Sequence, residues 1–440
     1  MNEIYYKNSK EIQILLFLLI FVSPILVLQV FRKTLFLWIQ ILFCTICCFR
    51  YKKVNIIKTP LILLLFIEPL IAGGFALSST MTIEYKKTAI DLAIMAIPLY
   101  ISACFISYMI KKEKSTIEIV IGAIKSVIIV EIIWFMIQLL LYRTTGTDIN
   151  KMIFVDTLHM VDNASFVRSW IWYPSGLSWH SAALAPLFVI GILVFDNTII
   201  RSFILLESFL CGNSTTLLGV TCCFILLFLN ALYTKKIKIK KQQFLVFLLI
   251  ILLFCMAIMT TDLGDKMSMI LNNLWTRLFS TEKDASTAAH LGYYSDYFKI
   301  LKQSTLSQVI FGYGTGCSGY TITSLYGRYA NGGTWAIESD YVNILVSRGI
   351  FGFVSYYWFL LWILVKGIKI DRRYGIFIVT ILLQGFGYNI QFDYLLLIEL
   401  FMYILISKHI NFFDYVDKLN DRKIKKRGRN DKSFNNSCYI

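Results

Sequence analysis

The chain has 440 residues, of which 57% are hydrophobic and 16% are charged, and its formal net charge is +16. An ordinary soluble domain carries about 25% charged residues. With a mean hydropathy of +0.65, this composition excludes a typical water-soluble protein. The apolar residues come in runs of about twenty, the length that crosses a hydrocarbon core. Because lipid offers backbone amides no partners, we expect these runs to be helices.

The apolar runs predict an all-α, polytopic membrane protein with about twelve transmembrane helices in a single membrane domain, residues 1–440. In chain order the predicted spans are 12–31, 34–49, 60–79, 88–110, 117–142, 175–195, 199–212, 214–233, 244–260, 341–365, 374–390 and 394–408. The second and seventh are short for a membrane span. No small-residue cleavage site follows the first run, so we expect a retained helix and not a removed signal peptide.

The positive charge lies in alternate short loops, which indicates topology and not nucleic-acid binding. Lysine and arginine clusters occur at 52–58, 111–114, 235–241, 372–373 and 422–427. The positive-inside rule places these clusters in the cytoplasm, with contacts to anionic membrane lipids. Both termini and a basic tail, 410–440, are then cytoplasmic. The same topology predicts a smaller exported loop at 143–173 and a large exported loop at 261–340.

The positions of the cysteines and the absence of nucleotide-binding motifs limit the reactions that we expect of this chain. Of the ten cysteines, Cys317 alone lies in a predicted exported loop, without a partner for a disulfide bond. The Cys44-x-x-Cys47 spacing resembles a zinc site, but it lies in an apolar run with no histidine nearby. The sequence has no P-loop and no Gly-x-Gly-x-x-Gly fingerprint. We expect no cofactor, so any reaction must take its energy from the substrate.

The large predicted loop combines aromatic residues with fixed charges. Such a combination suits a sugar-binding cleft, because sugar rings offer C–H faces for stacking and hydroxyls for hydrogen bonds. An interfacial aromatic belt is the alternative. The residues concerned are Trp275, Tyr293, Tyr294, Tyr297, Phe298, Tyr313, Tyr320, Tyr326, Tyr329 and Trp335, with Arg277, Asp284, His290, Asp296, Arg328, Glu338 and Asp340.

Residues 287–302 have a helical period that predicts a short amphipathic helix at the membrane surface. Its apolar side is expected to carry Leu291, Tyr294, Tyr297, Phe298 and Leu301. A glycine segment, residues 312–316 (GYGTG), follows. Glycines at alternate positions allow tight turns and close approach of a ligand, and a purely structural turn is the alternative.

Four stretches together resemble a known family. Residues 311–316 (FGYGTG) and 338–352 (ESDYVNILVSRGIFG) resemble the end of the large exported loop in O-antigen and capsule repeat-unit polymerases (the Wzy type) and the related O-antigen ligases. Residues 175–183 (SGLSWHSAA) resemble the helix start after the smaller loop, and 212–219 (GNSTTLLG) a hydroxyl-rich helix start. The resemblance covers roughly residues 140–360.

The resemblance implies a metal-independent glycosyltransferase in a bacterial cytoplasmic (inner) membrane. It would join undecaprenyl-diphosphate-linked oligosaccharides into O-antigen, the polysaccharide of lipopolysaccharide, or into capsule, with a chain-length regulator as a further partner. Ligases typically carry a His-Asn pair where this chain has Glu338-Ser339, which favours a polymerase. The family's paired loop arginines are matched by Arg168 and Arg277, but its arginine-rich repeats are not reproduced, and His290 stands where another arginine is expected.

The expected reaction needs a base for the attacking sugar hydroxyl and positive charge for the departing diphosphate. Glu338 is the candidate base and Arg277 the candidate leaving-group contact, because arginine binds phosphate oxygens in pairs. Asp340 is either the base or a helix cap. For substrate binding the candidates are Arg168, which can equally be an interfacial snorkelling arginine, and His180, His290, Tyr294, Arg328 and Arg348.

A flippase or secondary transporter of lipid-linked oligosaccharides is the main rival. It would use carboxylates within the spans as a proton relay, and Glu68, Glu131, Glu207 and Glu399 are such residues. Packing or water-cavity roles are the other explanation for them. Transporters usually contain internal repeats and interrupted helices in matching halves, and no internal repeat is visible here. An enzyme is therefore preferred.

Overall fold

The structure is a computed structural model. It describes residues 10–31, 33–51, 54, 56–77, 82–161, 166–168, 171–178, 181–234, 285–326, 337–389 and 393–422. For 166–168, 171, 285–291 and 323–326 this description covers the backbone alone. Within these ranges the chain is almost entirely helical, and its two small sheets have two short strands each.

The N-terminal third forms six helices and the first small sheet. The helices are α1 (Lys10–Val22), α2 (Leu35–Arg50), α3 (Pro60–Leu77), α4 (Ile83–Ile94), α5 (Ala96–Lys112) and α6 (Ser115–Thr145). Strands β1 (Gln29–Val30) and β2 (Lys33–Thr34) pair between α1 and α2. The Thr82 hydroxyl caps α4 by accepting from the backbone N–H of Tyr85, and Gly146 ends α6 in the left-handed conformation.

The middle of the chain holds a π-helical turn, a short hairpin and three helices. The turn covers Lys151–Thr157, and the hairpin pairs β3 (Phe166–Arg168) with β4 (Ile171–Tyr173). Helices α7 (Leu184–Val194), α8 (Thr198–Leu210) and α9 (Ser214–Tyr233) follow. Asparagine side chains cap two of them, Asn197 on α8 and Asn213 on α9.

Three shorter helices lie in the sequence predicted as the large exported loop: α10 (Ala285–Gln303), α11 (Leu306–Phe311) and α12 (Ser318–Tyr326). Thr305 and Gln308 form a capping box at the start of α11. The last helices are α13 (Asp340–Ile368), α14 (Arg372–Gly387) and α15 (Asp393–Ser407). After α15 the chain turns by 102° into α16 (Phe412–Arg422).

Five helical segments in the described part of the chain are long and apolar enough to cross a membrane, or six if α15 and α16 form one bent span. The five are Pro60–Leu77, Ile83–Lys112, Ser115–Thr145, Ser214–Tyr233 and Asp340–Ile368. A helix lies within every predicted span that the structure describes, whereas the span predicted at 244–260 lies outside the described residues. Twelve crossings and the exported loops remain predictions.

One local expectation needs correction. The first predicted span, 12–31, is helical only to Val22, because a turn and the β1–β2 pair take the chain back toward α2. The helix predicted at 287–302 is present as α10, in which Tyr293, Asp296 and Ile300 are buried and Phe298 is 64% exposed. Tyr294 and Tyr297 of its predicted apolar side pack against the same cluster as Tyr293.

Helix α13 is the element around which the candidate site is built. It packs against α14, α3, α11 and α15. A small hydrophobic cluster joins its first turns to the preceding segment, and this cluster contains Tyr293, Ile300, Tyr313, Ile322, Ile337, Val342 and Val346. Helices α10, α11 and α12 therefore pack back onto α13.

Candidate functional site

The glycine segment, 312–316, lies directly against a break in α13. The break is at Gly349, which has φ 66° and ψ −169° inside an otherwise helical segment. The backbone N–H groups of Tyr313 and Gly314 donate to the carbonyls of Val346 and Ser347, at 2.9 and 3.0 Å. Backbone hydrogen bonds thus hold the glycine segment against the turn of α13 that precedes the break.

Glycine is required on both sides of this contact. Gly312 has φ 80° and Gly349 has φ 66°, both in a region that side chains disfavour. A Cβ on Gly349 would collide with the backbone of Ile310 and Gly312, and a Cβ on Gly312 would collide with Ser347. Two stretches that resemble the polymerase family therefore meet backbone to backbone.

The glycine segment is also anchored to α3 and α4. The Thr315 hydroxyl donates to the carbonyl of Pro69 at 2.7 Å, and the Tyr85 hydroxyl donates to the carbonyl of Tyr313. Cys317 is fully buried beside α4, and burial raises the pKa of its thiol to about 12. This cysteine is a packing residue and not a reactive thiol.

Arg348, immediately before the break, forms a buried ion pair with Glu68 of α3. Its Nη1 lies 2.5 Å from the Glu68 Oε1, and the two side chains are 10% and 0% exposed. The guanidinium also lies 6.0 Å from the ring centre of Tyr356. A guanidinium presents five N–H donors, and Arg348 brings this group to a site where its side chain is almost fully buried.

A cavity of about 290 Å³ lies between the glycine segment, α3, the α4–α5 junction, α13 and α15. Its apolar wall includes Leu65, Phe66, Pro69, Leu92 and Leu99. Its polar groups come from Thr315, Asn343, Ser347, Arg348, Asn389 and Asp393. One cation, one carboxylate and several neutral hydrogen-bonding groups face the same space, which is the usual construction of a binding pocket for a polar ligand.

A second polar network continues along α13. The Tyr357 hydroxyl donates to the Asp340 Oδ2 at 2.7 Å, and the neighbouring Tyr356 hydroxyl lies 3.4 Å from the Glu399 Oε1 of α15. Asp340 and Glu399 are both fully buried. Asp340 is the first helical residue, and Ser339 occupies the cap position. The Asp340 carboxylate therefore accepts a hydrogen bond from a tyrosine 17 residues further along α13.

Three further predicted site residues, Glu338, Tyr294 and His290, lie just before α13 or on α10, and none is among the residues that line the cavity. Glu338 is half-buried and close enough to Tyr388 to act on it electrostatically. Tyr294 of α10 accepts a hydrogen bond from the Ser339 hydroxyl at 3.1 Å. His290 lies on the same helix, where the structure gives the backbone only. Arg348 is the one predicted site residue of the described side chains that lines the cavity.

Four predicted residues cannot be compared with this geometry. Arg277, His180 and Arg328 lie outside the described residues, and for Arg168 only the backbone is described, at the end of β3 opposite Ile171. Trp172 in β4 anchors this hairpin. It stacks on Tyr142 with ring centres 3.9 Å apart and donates to the Asp148 Oδ2 at 2.7 Å.

Asn389 and Asp393 line the cavity but were not among the predicted site residues, and Glu68 was expected to serve in packing, in a water cavity or in a proton relay. Glu68 carried a usable signal, because a carboxylate beside a proline within an apolar run is costly unless it is paired. Nothing in the sequence marked Asp393 as unusual, since a carboxylate just before an apolar run is ordinary at the end of a predicted span.

Two other predicted intramembrane carboxylates lie apart from the cavity. Glu131 of α6 accepts from the backbone N–H of Leu177 at 2.8 Å and lies near Glu207 of α8. Both are buried. Within the described residues, the His, Cys, Asp and Glu side chains form no group that could hold a metal ion.

Compared with known proteins, the chain matches no family model. No curated protein matches it either. Its function is therefore inferred from the site itself and from the sequence resemblance.

Proposed function

We propose that this protein is a polymerase that joins polyprenyl-diphosphate-linked oligosaccharide repeat units into a bacterial surface polysaccharide. One observation carries the proposal: residues 311–316 and 338–352, two of the four stretches that resemble the family, meet at the wall of one cavity. The second stretch places Arg348 in that wall. Two separate family-like stretches thus contribute to a single pocket.

The chemistry of the cavity suits part of the expected substrate. Arg348 brings a guanidinium to the cavity wall, and guanidinium groups are suited to bind diphosphate oxygens. Asn343, Ser347 and Thr315 add neutral groups that suit sugar hydroxyls. The bond to a diphosphate is already activated, so the transfer draws on the substrate and needs no nucleotide. The polar cavity and apolar helices together fit a headgroup whose lipid chain stays in the membrane.

Transport of the same lipid-linked substrate is the second candidate. A broken helix beside a buried charge pair is a feature of secondary transporters, whose binding sites lie where helices are interrupted. Here α13 is broken at Gly349 next to the Arg348–Glu68 pair. We favour the polymerase because the broken turn is filled by the glycine segment, through hydrogen bonds and close glycine contacts. Such filling suits a fixed site better than a hinge.

A deletion strain of the native host separates these candidates. Loss of a polymerase leaves surface glycan of a single repeat unit, whereas loss of a ligase removes glycan from its acceptor. Loss of a flippase leaves lipid-linked units facing the cytoplasm. Complementation with the wild-type chain should restore long glycan. Complete absence of glycan, or lipid-linked units trapped on the inner face, would refute the polymerase.

Two matched arginine variants connect this phenotype to the cavity. Arg348→Lys keeps the charge but removes the planar fork, so long glycan should be lost or strongly shortened at normal protein abundance. Arg373→Lys is the control, because Arg373 is also paired in an ion-pair cluster but does not line the cavity. Equal shortening in both variants would point to a folding effect.

A further inference from the structure

An acidic residue that was not among the predicted site residues lines the same cavity as Arg348. Asp393 is the first residue of α15 and lines the cavity. It is the sole carboxylate among the lining residues of the described chain. Neither Glu338 nor Asp340 lines that space. A proton acceptor for a ligand in the cavity must come from the groups that face it.

The other nearby carboxylates are already engaged. Glu68 is paired with Arg348, Asp340 accepts from Tyr357, and Glu399 faces the Tyr356 hydroxyl. Asp393 differs from all three, because it has solvent-accessible surface and shows no hydrogen bond or ion pair within the described part of the chain. Its oxygens are therefore free to accept from a ligand.

Asp393 also lies on the face where a lipid-linked substrate is expected. The basic clusters predict that α13 and α15 begin, and α14 ends, on the exported side. Asp340, Asn389 and Asp393 mark these three positions in the chain. The polar residues Asn389 and Asp393 therefore belong to the predicted outer end of the helices, and Arg348 lies deeper along α13. A headgroup entering from outside would meet the carboxylate before the guanidinium.

We infer that Asp393 is the general base of the polymerisation reaction, an inference that rests on the proposed function. Its carboxylate takes the proton from the attacking sugar hydroxyl as the new bond forms between that oxygen and the anomeric carbon. The bond from the anomeric carbon to the diphosphate oxygen breaks, and the diphosphate leaves with the electron pair toward Arg348. The proton on Asp393 then passes to solvent, which restores the carboxylate.

The test measures turnover of purified protein in lipid nanodiscs, with lipid-linked repeat units isolated from the deletion strain. Asp393→Asn should lower kcat by about 10²–10⁴-fold, the usual contribution of a general base, with little change in KM. Asp393→Ala should be partly rescued by added formate, which supplies a carboxylate to the vacated space. Asp414→Asn, which removes an exposed carboxylate on α16, is the matched control and should match wild type.

The outcomes are separable. Wild-type protein that makes no polymer refutes the proposed function and this inference together. Active wild type with an Asp393→Asn variant that keeps at least a third of its kcat refutes the inference alone, as does a variant whose loss is confined to KM. Loss of turnover in Glu338→Gln with near-normal Asp393→Asn would assign the base to Glu338. A melting temperature for Asp393→Asn equal to that of wild type shows that any loss is chemical.

Discussion

Arg348 and Glu68, 280 positions apart in the sequence, form an ion pair of 2.5 Å in the interior of the helix assembly. The pair joins α13 to α3 beside the break at Gly349. Gly352 makes room for it, since a Cβ at this position would lie 2.9 Å from the Glu68 Oε2. The ion pair therefore joins an arginine from one family-like stretch to a glutamate that lies outside the resemblance.

Breaking this pair should be costly. Glu68→Leu leaves the Arg348 guanidinium buried without its counter-charge, and such a loss typically destabilises a protein by about 3–5 kcal/mol. Replacing both residues, as Glu68→Leu with Arg348→Met, should recover most of that stability. Thermal unfolding in detergent measures the three variants. The control is Glu118→Gln, which removes an exposed pair with Arg422 and should cost about 1 kcal/mol or less. A double variant no more stable than Glu68→Leu would contradict this account.

Gly349→Ala should destabilise the protein by about 1–3 kcal/mol from backbone conformation alone, and the collision with Ile310 and Gly312 adds to this. Gly74→Ala in α3 is the matched control, because a Cβ there meets no atom within 4 Å. In a regular helix that change should be neutral or stabilising by up to about 1 kcal/mol. Unfolding midpoints of the two variants decide the matter, and similar midpoints would show that the break at Gly349 is not required.

Acid should weaken the link between α14 and α16. Burial disfavours the Asp371 carboxylate, but hydrogen bonds from Arg373 outweigh it and lower the pKa of Asp371 below its ordinary value of 3.8. A lowered pKa gives stability that is present above the ordinary value and is lost as the pH falls through the lowered one. Between pH 5 and pH 3, roughly, the wild-type midpoint should fall more steeply than that of Asp371→Asn. Parallel curves would exclude a contribution from Asp371.

Topology can be tested by cysteine labelling with a membrane-impermeant reagent. Phe298 and Lys369 are exposed in the structure, and the basic clusters predict that position 298 is outside and position 369 is cytoplasmic. Phe298→Cys should therefore label in intact cells, and Lys369→Cys only after permeabilisation. The parent chain provides the background from the exposed Cys48. A cytoplasmic position 298 would contradict the functional proposal, because the lipid-linked substrate is presented on the other face.

Arg168 offers a test in the smaller predicted loop. If it contacts the diphosphate, Arg168→Lys loses the paired phosphate contacts while keeping the charge, so the glycan should be shorter at normal protein abundance. Glycan length on gels is the measurement, with protein abundance checked by immunoblot. Normal length in both Arg168→Lys and Arg168→Ala would leave an interfacial arginine as the explanation.

The sequence by itself determined the helical class and the approximate positions of the long apolar helices and of α10, but it did not predict α11, α12 or α16. Apolar runs have a strong local signal, because every residue in them favours the same environment. Ends were less accurate where tertiary contacts decide them, as at Val22 in α1 and in the bent pair α15 and α16. The helix predicted at 287–302 is present as α10, but its period did not show that Tyr293, Asp296 and Ile300 would be buried against neighbouring elements.

Only part of the candidate site could be predicted from the sequence. The glycine segment and the stretch containing Arg348 were visible, because unusual residues at close spacing stand out within one segment. Their contact, the pairing of Arg348 with Glu68 and the position of Asp393 in the same cavity were decided by the tertiary structure. These residues come from separate helices, and no local pattern states which helices pack together. The pairing of buried charges is a property of that packing, because a charge within apolar surroundings is stable only where a distant segment supplies its partner.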